Sequence, residues 1–531
     1  MLLQTTVGRM FRDTAGRFPA RLCVETPEAS YTYAEILELA ERAAHALRLE
    51  GIGRGSRVGV WCNDSPAFLI LYLGLELLGS VPVLLNTSLT GEEMSALLKK
   101  VGAEALYYDG GFKGVSFPEE VEKSGIENAR YIPEFLKNLP EPSAEEREAL
   151  RAATAAVAPD DPDVIIFTSG TSGTAKGVLS SHLARVNVAR VQAETIALTE
   201  EDKCCVAIPM FHCFGLTGVI LAALYCGAGL YFPGGRHTKQ LLEAISVHGC
   251  TVFSAVPTLF SAILARPDLA SFDLSSLRTG YIGGSVYTPE FFLRAEKAMG
   301  FRLAPSLGQT EATAGLTFIS PEEPTELRAP SVGRFMAGIE GKLRDIATGE
   351  TLPRNRVGEI CIRGWSVMKE YVGDPELTAE TVDAEGWLHT GDLAWLDEAD
   401  CLHMNGRLKE LIIRGGENIS PGEIEAVVGL DPRIREVKCV AVPDEHYGEE
   451  ICACVVLREG SSGPAAEEIR AEAAGKLAAY KVPRYVLFMS ALPKTASGKL
   501  ALAQLKRDAA EALHLKPLTP GRPPGAPERN K

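Results

Sequence analysis

Residues 163–178 read DVIIFTSGTSGTAKGV, a run of apolar residues followed at once by a loop of glycines and hydroxyl side chains. The apolar run is typical of a buried β-strand. Because glycine permits positive φ and close approach, such a loop can direct several backbone N–H groups at an anion, and Lys176 adds a positive charge. The stretch therefore predicts a polyphosphate site after a strand, although a flexible surface loop is an alternative that these residues alone leave open.

The loop differs from the P-loop of common nucleotide triphosphatases. That motif requires a serine or threonine directly after its lysine, and Gly177 stands at this position. A helix-like run begins at about Ser181, and we expect the positive end of its dipole to lie near the anion.

Strand-like and helix-like runs alternate along most of the chain, as in RVGVWC, PVLLN, EALYY and TGYIGG with helical stretches between them. This alternation predicts an α/β fold with mostly parallel sheets flanked by helices. After about residue 330 short strands joined by Gly and Asp turns predict a small β-barrel-like part. A small α+β domain follows, in which Ser420, Pro421 and Glu423 mark a capped helix start.

These patterns divide the chain into a large N-terminal domain, residues 1–408, and a small C-terminal domain, residues 409–515, with a linker near Lys409. The last segment, residues 516–531, is rich in proline and charge, and we expect it to be disordered.

Composition excludes some classes of protein. The 531 residues carry a net charge of -15 and no dense run of Lys and Arg, which argues against nucleic-acid binding. The 12 cysteines form no C-x-x-C pair and indicate buried thiols in a reducing compartment. The apolar segment 67–85 is interrupted by Glu76 and Pro82, so we expect a buried helix and strand with no stable membrane insertion. The N-terminus lacks the apolar core of a signal peptide, and we expect a cytoplasmic protein.

Four further motifs carry chemistry. SLGQTE places Thr310 beside Glu311, whose carboxylate suits Mg²⁺ bridging phosphate oxygens. HTGD predicts Asp392 in a tight turn, where its carboxylate can accept from ribose hydroxyls. NGRLKE adds Arg407, and PKTASGKL ends with Lys499. Each motif alone is also compatible with solvated surface.

In combination and in this order, TSGTSGTAKG, TGD, GRLKELIIRGGENISPGEIE and PKTASGK resemble the adenylate-forming acyl-CoA synthetases, the superfamily that also holds luciferases and nonribosomal adenylation domains. The resemblance runs from YTYAEI to SGKL, and IIRGGENISPGEIE and GEEICACV are most similar to the medium-chain fatty acyl-CoA synthetase group. It implies the substrates ATP and CoA, with Mg²⁺ held by Glu311.

The resemblance also implies a role for each motif. The catalytic group would comprise Lys499, Thr310, Glu311 and His212. ATP would be bound by residues of the loop, of the strand ends and of the TGD and NGR motifs: Thr168, Ser169, Gly170, Thr171, Ser172, Gly173, Thr174, Lys176, Gly284, Ser285, Leu307, Gly308, Gln309, Asp392 and Arg407. The acyl pocket would be lined by His212, Cys213, Phe214, Gly215, Val256, Gly283, Ala312 and Thr313. CoA would approach Arg414, Gly415, Gly416 and Glu417 after rotation about Lys409 as the hinge.

Two of these assignments have simpler alternatives. A lone His212 is more often a hydrogen-bonded core residue, and RGGEN is also compatible with an ordinary hairpin turn.

The chain departs from the family pattern at two positions. The family usually has proline in place of Ala175 and an aromatic residue in place of Leu307, so we expect a more mobile loop and weaker stacking on adenine.

The expected reaction is activation of an apolar, medium-chain fatty acid as acyl-AMP with release of pyrophosphate, followed by transfer to the CoA thiol. The alternatives are an acyl-AMP ligase that loads a carrier protein, an aryl-acid CoA ligase, and a catalytically inactive nucleotide-binding homologue. In the family, adenylation domains for α-amino acids usually have an aspartate at the position of His212 to hold the ammonium, so the resemblance argues against an amino-acid substrate. The expected partners are small molecules: the carboxylic acid, ATP and CoA. The expected assembly, if the protein is oligomeric, is a homodimer.

Overall fold

The protein is described by a computed structural model that covers residues 1–168, 175–285, 287–414, 417–444, 447–494 and 500–515, without the side chains of Glu417 and Asn418. The chain forms two compact units. The first comprises Met1–Arg356, Ile360–Thr390 and Leu396–His403, and the second comprises Val357–Glu359, Gly391–Trp395 and the chain from Met404. The domain boundary and hinge at Lys409 stay predictions. The tail, residues 516–531, lies outside the described residues.

The first unit contains two large sheets. Sheet I has nine strands within the described residues, and its central strands are parallel. Their order across the sheet is Arg334–Phe335, Thr317–Phe318, Arg302–Leu307, Thr279–Gly283, Val252–Phe253, Lys203–Cys205, Gly229–Tyr231, Leu22–Glu25 and Ser30–Thr32.

Sheet II has seven strands within the same described part of the chain, five of them parallel and two antiparallel at one edge. Their order is Glu370–Tyr371, Lys176–Ser181, Pro162–Thr168, Val81–Leu84, Arg57–Trp61, Ala105–Tyr108 and Ala129–Tyr131. A separate small hairpin pairs Gly111–Phe112 with Val115–Ser116. The predicted α/β fold with mostly parallel sheets is confirmed.

Helices cover these sheets. They are Val7–Arg17, Tyr33–Leu49, Pro66–Leu78, Gly91–Val101, Phe117–Ser124, Ile132–Lys137, Ala144–Ala156, His182–Thr195, Ala222–Cys226, Thr238–Ser246, Pro257–Leu264, Pro289–Met299, Thr325–Arg328 and Pro375–Thr381, with a π-helix at Phe214–Leu221 and 3-10 turns at Leu269–Ser271 and Thr310–Ala312.

The most apolar helix, Pro66–Leu78, is buried from Phe68 to Leu78 and is followed by the buried strand Val81–Leu84, as the sequence predicts. In the described part of the chain, none of the helices has both the length and the apolar character that a transmembrane span requires. All 12 cysteines are free, and all but Cys213 and Cys226 are buried, which confirms the predicted buried thiols.

Short strands do follow residue 330, at Glu340–Arg344, Gly358–Arg363, Leu388–Leu396 and Leu402–Arg407, and the last three contribute residues to both units. A β-barrel-like closure of this part stays a prediction.

The second unit is built on sheet III, which joins Glu417–Ile419, Ile412–Arg414, Gly448–Leu457, Ile434–Asp444 and Tyr485–Phe488. Its helices are Pro421–Val428, Ala466–Lys476 and Leu502–Ala512, with 3-10 turns at Leu408–Glu410 and Ala479–Lys481. Alternate residues of the long strands pack against opposite sides: Cys439 and Ala441 join one core, and Val440 and Val442 join the other. This α+β unit is the predicted one.

The helix that begins at Pro421 is not capped as the sequence predicts. Ser420 makes no side-chain cap. Its hydroxyl instead donates to the backbone carbonyl of Asn405. Because the hydroxyl makes this hydrogen bond to Asn405, it does not cap the helix.

Candidate active site

The Gly/Ser/Thr loop connects the two strands of a β-hairpin in sheet II. Strands Pro162–Thr168 and Lys176–Ser181 pair antiparallel, with Thr168 directly opposite Lys176. The predicted phosphate ligands from 169 to 174 lie outside the described residues, so their role stays a prediction. The pairing brings Thr168 and Lys176 to the same end of the hairpin, where both can face a bound phosphate.

The prediction that a helix dipole acts on an anion at this loop is wrong. The helix His182–Thr195 begins after strand Lys176–Ser181, and Ser181 pairs with Pro162 at the opposite end of the hairpin. Five strand residues at about 3.3 Å each separate the helix start from Lys176 by roughly 16 Å. The field of a helix terminus decays within a turn, so this helix would not act on an anion bound near Lys176.

A buried ionic cluster instead fixes the base of the hairpin. His182 Nδ1 lies 2.8 Å from Asp163 Oδ1, and Arg185 Nε lies 2.9 Å from Asp163 Oδ2, with all three side chains almost fully buried. Burial and the charge of Asp163 raise the pKa of the adjoining Glu76 well above its usual range, which favours its neutral form. Asp163 thus joins the first strand of the hairpin to the helix that follows the second.

Tyr371, which the sequence analysis did not identify, links the lysine of the hairpin to the predicted metal ligand. Lys176 Nζ lies 4.9 Å from the centroid of the Tyr371 ring, within cation–π range. The Tyr371 hydroxyl donates to Glu311 Oε1 at 2.8 Å. Burial and the Glu311 charge raise the pKa of Tyr371, so its hydroxyl keeps the donated proton at neutral pH. No motif in the sequence pointed to this tyrosine.

Sheet I contributes the carboxyl ends of its parallel strands. Strands Val252–Phe253, Thr279–Gly283 and Arg302–Leu307 run parallel, so their carboxyl ends meet along one edge. In α/β sheets this edge is the usual place for a ligand. The edge carries the predicted adenine and pocket residues Val256, Gly283, Gly284, Ser285, Leu307 and Gly308.

A tight turn follows the strand that ends at Leu307. Thr310 and Glu311 lie in the 3-10 turn, after which Thr313 and Ala314 adopt φ values of 55° and 71°. Two successive non-glycine residues in the left-handed region are costly and mark functional sites. A Cβ on Gly308 would lie 2.4 Å from the Ala314 carbonyl oxygen, so the turn requires glycine there.

Hydrogen bonds hold this turn in place. The buried Thr313 donates its hydroxyl to the Ser366 carbonyl at 2.8 Å. The amide of Met368 donates to the Glu311 carbonyl at 2.8 Å, and Gln309 donates its side-chain amide to the Thr390 carbonyl at 3.0 Å. Glu311 is therefore fixed at its backbone and at its carboxylate by the segment that contains Tyr371.

The segment with His212 and Cys213, predicted to line the acyl pocket, contacts the 3-10 turn that contains Thr310. Cys213 Sγ lies 3.6 Å from Thr310 Oγ1, and His212 is half-buried with its ring 4.7 Å from that of Phe211. The π-helix Phe214–Leu221 follows directly, and π-helical turns are frequent at functional sites. The structure thus brings this segment to Thr310, as the predicted pocket requires.

The close packing of this segment depends on one glycine. A Cβ on Gly215 would lie 2.1 Å from the Pro209 carbonyl oxygen. Only glycine therefore allows the chain to turn into the π-helix immediately after Cys213.

The donor set around Glu311 fits Mg²⁺ with a polyphosphate. A carboxylate has about four lone-pair positions, so the bond from Tyr371 leaves capacity for a hard cation, which prefers oxygen ligands. Thr310 carries a hydroxyl on the same turn, and the Lys176 ammonium could pair with further phosphate oxygens.

In the second unit, Asp392 is not in the predicted tight turn. It lies inside strand Leu388–Leu396, because Gly391 with a φ of 69° kinks the strand without ending it. Asp392 is 2% exposed, and Arg407 Nε lies 2.8 Å from its Oδ1. The two predicted ribose ligands are therefore an ion pair, with the guanidinium largely exposed.

The predicted CoA and hinge residues also belong to the second unit. Lys409 is exposed in the turn Leu408–Glu410. Arg414 ends a strand that pairs with Glu417–Ile419, which agrees with the hairpin alternative for RGGEN. Its guanidinium lies 4.1 Å from the centroid of the Tyr447 ring and 2.7 Å from the fully buried Glu450. Gly415, Gly416, the Glu417 side chain and the catalytic candidate Lys499 lie outside the described residues.

This arrangement defines a class of enzyme. One edge of sheet I carries the residues predicted to line a site for an organic acid. Sheet II carries cationic and hydroxyl groups that could bind phosphates, and Glu311 offers a carboxylate that could bind a cation. These are the requirements of a ligase that activates a carboxylate with a nucleoside triphosphate.

The chain matches the family described as AMP-binding enzyme over residues 11–372 and the AMP-binding enzyme C-terminal domain over residues 423–499. It is 34% identical to the putative acyl-CoA synthetase YngI of Bacillus subtilis, covering 97% of this chain and 99% of that protein. It is 34% identical to the mitochondrial medium-chain acyl-CoA ligase ACSF2 of Macaca fascicularis, covering 97% and 88% respectively. The ATP-bound crystal structure of MatB from Rhodopseudomonas palustris is similar with a TM-score of 0.85 and 25% identity, covering 95% of this chain and 99% of that chain.

The chain therefore belongs to the AMP-binding enzymes of the adenylate-forming superfamily, and it is an enzyme of the acyl-CoA synthetase type. Such enzymes use ATP, Mg²⁺ and CoA. The family resemblance found in the sequence is confirmed. The individual roles of the site residues stay predictions.

Proposed function

We propose that this protein is an ATP-dependent carboxylate–CoA ligase for apolar acids, with medium-chain fatty acids as the principal substrates. The observation that carries the proposal is the junction at Glu311. Its carboxylate is held 2.8 Å from the Tyr371 hydroxyl on sheet II, while Thr310 beside it lies 3.6 Å from Cys213 of the acyl segment. Candidate residues for binding the phosphates and candidate residues for binding the acid therefore contact two adjacent residues, Glu311 and Thr310.

In the first step, a carboxylate oxygen of the acid attacks the α-phosphorus of ATP, and pyrophosphate leaves. Both reactants are anions, so their approach depends on fixed positive charge. Lys176 would hold the leaving phosphates, and Lys499 would lie between the carboxylate and the α-phosphate. Mg²⁺ at Glu311 would neutralise charge on the phosphate oxygens as a Lewis acid.

In the second step, the CoA sulfur attacks the acyl carbonyl, the bond to AMP breaks, and AMP leaves. Lys499 is not needed for this chemistry, whereas CoA needs access to the acyl carbon. We propose that the C-terminal domain turns about Lys409 between the steps and brings the segment from Arg414 to Glu417 to the thiol. Domain reorientation of this kind allows one site to serve two reactions.

The proposed acid is apolar because the pocket candidates are. Cys213, Phe214, Val256 and Ala312 offer small or apolar groups, and a carboxylate at the position of His212 would be needed for an α-ammonium. The name of the relative ACSF2 supports medium-chain acids as the first to be tested. A cytoplasmic location and a homodimeric assembly are part of this proposal.

The proposal predicts a maximum of activity among acids of intermediate length. The wild-type protein with ATP, Mg²⁺ and CoA should release pyrophosphate and form a thioester most rapidly with acids of about eight carbons, and more slowly with acetate, palmitate or benzoate. In the proposed apolar pocket, an acyl chain that is too short leaves apolar surface uncovered, and one that is too long or too wide does not fit. Pyrophosphate release and thioester formation are measured in parallel. Acyl-AMP that accumulates without thioester would favour a carrier-protein acceptor, and no release with any acid would indicate an inactive homologue.

Leu307 offers a separate test of the adenine site. Leu307→Tyr should bind ATP about two- to tenfold more tightly, because an aromatic face can stack on the base where leucine offers only aliphatic contact. Binding is measured by calorimetry, with Leu307→Met as the matched variant of similar volume without a ring. An unchanged or weaker affinity of the tyrosine variant would place the base elsewhere.

A further inference from the structure

Tyr371 is fixed more firmly than a residue that only fills space. It pairs with Val178 of the hairpin. The flanking amides of Lys369 and Val372 donate to the carbonyls of Leu179 and Gly177, each at 2.8 Å. The side chain is 4% exposed. Its ring and hydroxyl therefore occupy a defined place beside the phosphate hairpin.

The hydroxyl of Tyr371 determines the direction of the Glu311 carboxylate. It donates to Oε1 at 2.8 Å, while the Met368 amide holds the Glu311 carbonyl at 2.8 Å. Groups that hydrogen-bond to a metal ligand orient it, and their loss weakens metal binding. Glu311 is thereby preorganised for a cation before any nucleotide arrives.

The ring of Tyr371 has a second partner, Lys176, whose ammonium lies 4.9 Å from the ring centroid. Lys176 is half-buried at the last paired position of the hairpin. The contact holds a long, flexible cation over the ring whose hydroxyl bonds Glu311, and a bound triphosphate could draw the ammonium away from the ring. Such restraint lowers the entropy that binding must remove.

We infer that Tyr371 is a positioning residue for adenylation, whose hydroxyl orients Glu311 for the Mg²⁺·triphosphate and whose ring holds Lys176 beside it. The inference deepens the proposed function and rests on it for the identity of the nucleotide. The simpler alternative is a purely structural tyrosine, since Val178 and Met368 pack against it. A structural residue would affect stability without distinguishing metal-bound from metal-free nucleotide.

The experiment measures binding of α,β-methylene-ATP, a non-reacting analogue, by calorimetry with Mg²⁺ and with EDTA. Tyr371→Phe removes the hydroxyl and keeps the ring. We expect about tenfold weaker binding with Mg²⁺ and a change below about twofold with EDTA. The hydrogen bond is lost in both cases, but the orientation of Glu311 contributes to nucleotide affinity only when its carboxylate binds the metal. Tyr371→Leu should in addition weaken the metal-free affinity, since Lys176 loses its aromatic partner.

Tyr107→Phe is the matched control. The Tyr107 hydroxyl donates to Glu50 Oε2, also at 2.8 Å, and the tyrosine is fully buried in the same unit. Both phenylalanine variants should lose similar thermal stability, but only Tyr371→Phe should raise the Mg²⁺ concentration for half-maximal pyrophosphate release, with kcat recovering at high Mg²⁺.

Equal losses with and without Mg²⁺, or an Mg²⁺ response like that of Tyr107→Phe, would overturn the role of the hydroxyl. A leucine variant that matches the phenylalanine variant in both titrations would overturn the role of the ring. The proposed function fails by a different result: wild-type protein that binds the Mg²⁺·nucleotide yet activates no acid.

Discussion

Replacing Lys499 with alanine is expected to slow acyl-adenylate formation by about a hundredfold to a thousandfold, because one charge-stabilising donor in an active site contributes that much. Thioester formation from supplied acyl-AMP should stay within about threefold, since the repelling anions have already reacted. Quenched-flow measurement of acyl-AMP from ATP, and of thioester from acyl-AMP and CoA, gives the two rates separately.

Lys494→Ala is the control for this prediction. Lys494 belongs to the same motif and is exposed, and the substitution removes the same charge. It should leave both half-reactions near wild type. If Lys499→Ala lowered both half-reactions together, the assignment of Lys499 to the first step alone would be wrong.

The second large effect is expected for Glu311→Gln. Loss of a carboxylate that binds a hard cation should lower the rate of adenylation by roughly a hundredfold or more, because the metal ion lowers the activation barrier by several kcal/mol. The Gln side chain can still accept from Tyr371, so the fold should be retained. The rate of pyrophosphate release is measured against Mg²⁺ and Mn²⁺ concentration, with thermal unfolding as a check.

Glu370→Gln makes the same change of charge beside Tyr371 at an exposed carboxylate, and its rate should stay near wild type. A Glu311→Gln enzyme with unaltered metal dependence would assign the cation to other ligands.

Local patterns in the sequence were sufficient for the framework. The apolar run at 163–167 is a strand, the segment 67–85 is a buried helix followed by a strand, and the periodic stretch at 33–49 is a helix. Each depends mainly on hydrophobic periodicity within one element, which the sequence displays directly. Family motifs supplied the candidate residues and the class of reaction.

The contacts of the site residues could not be predicted, because they depend on pairings between segments that are distant in the sequence. Tyr371 is separated from Glu311 by 60 residues, and only the sheet pairing brings it beside Lys176. Asp392, predicted to lie in a turn, lies within a strand. The Ser420 hydroxyl, predicted to cap a helix, donates to the Asn405 carbonyl. Tertiary partners decide such details, and single-residue propensities do not contain them.

In the proposed function, the candidates for the acid pocket and the hairpin that would hold the phosphates come from different sheets of the first unit, and the turn with Thr310 and Glu311 connects them. Cys213, Val256 and Gly283 follow or end strands of sheet I, whereas Thr168, Lys176 and Tyr371 belong to sheet II. Under this proposal, substitutions in the acid pocket away from the turn with Thr310 and Glu311 could accumulate on sheet I while the phosphate hairpin of sheet II is unchanged. This modularity would let evolution, or an engineer, alter the accepted acid while the energy-coupling half of the reaction is left intact.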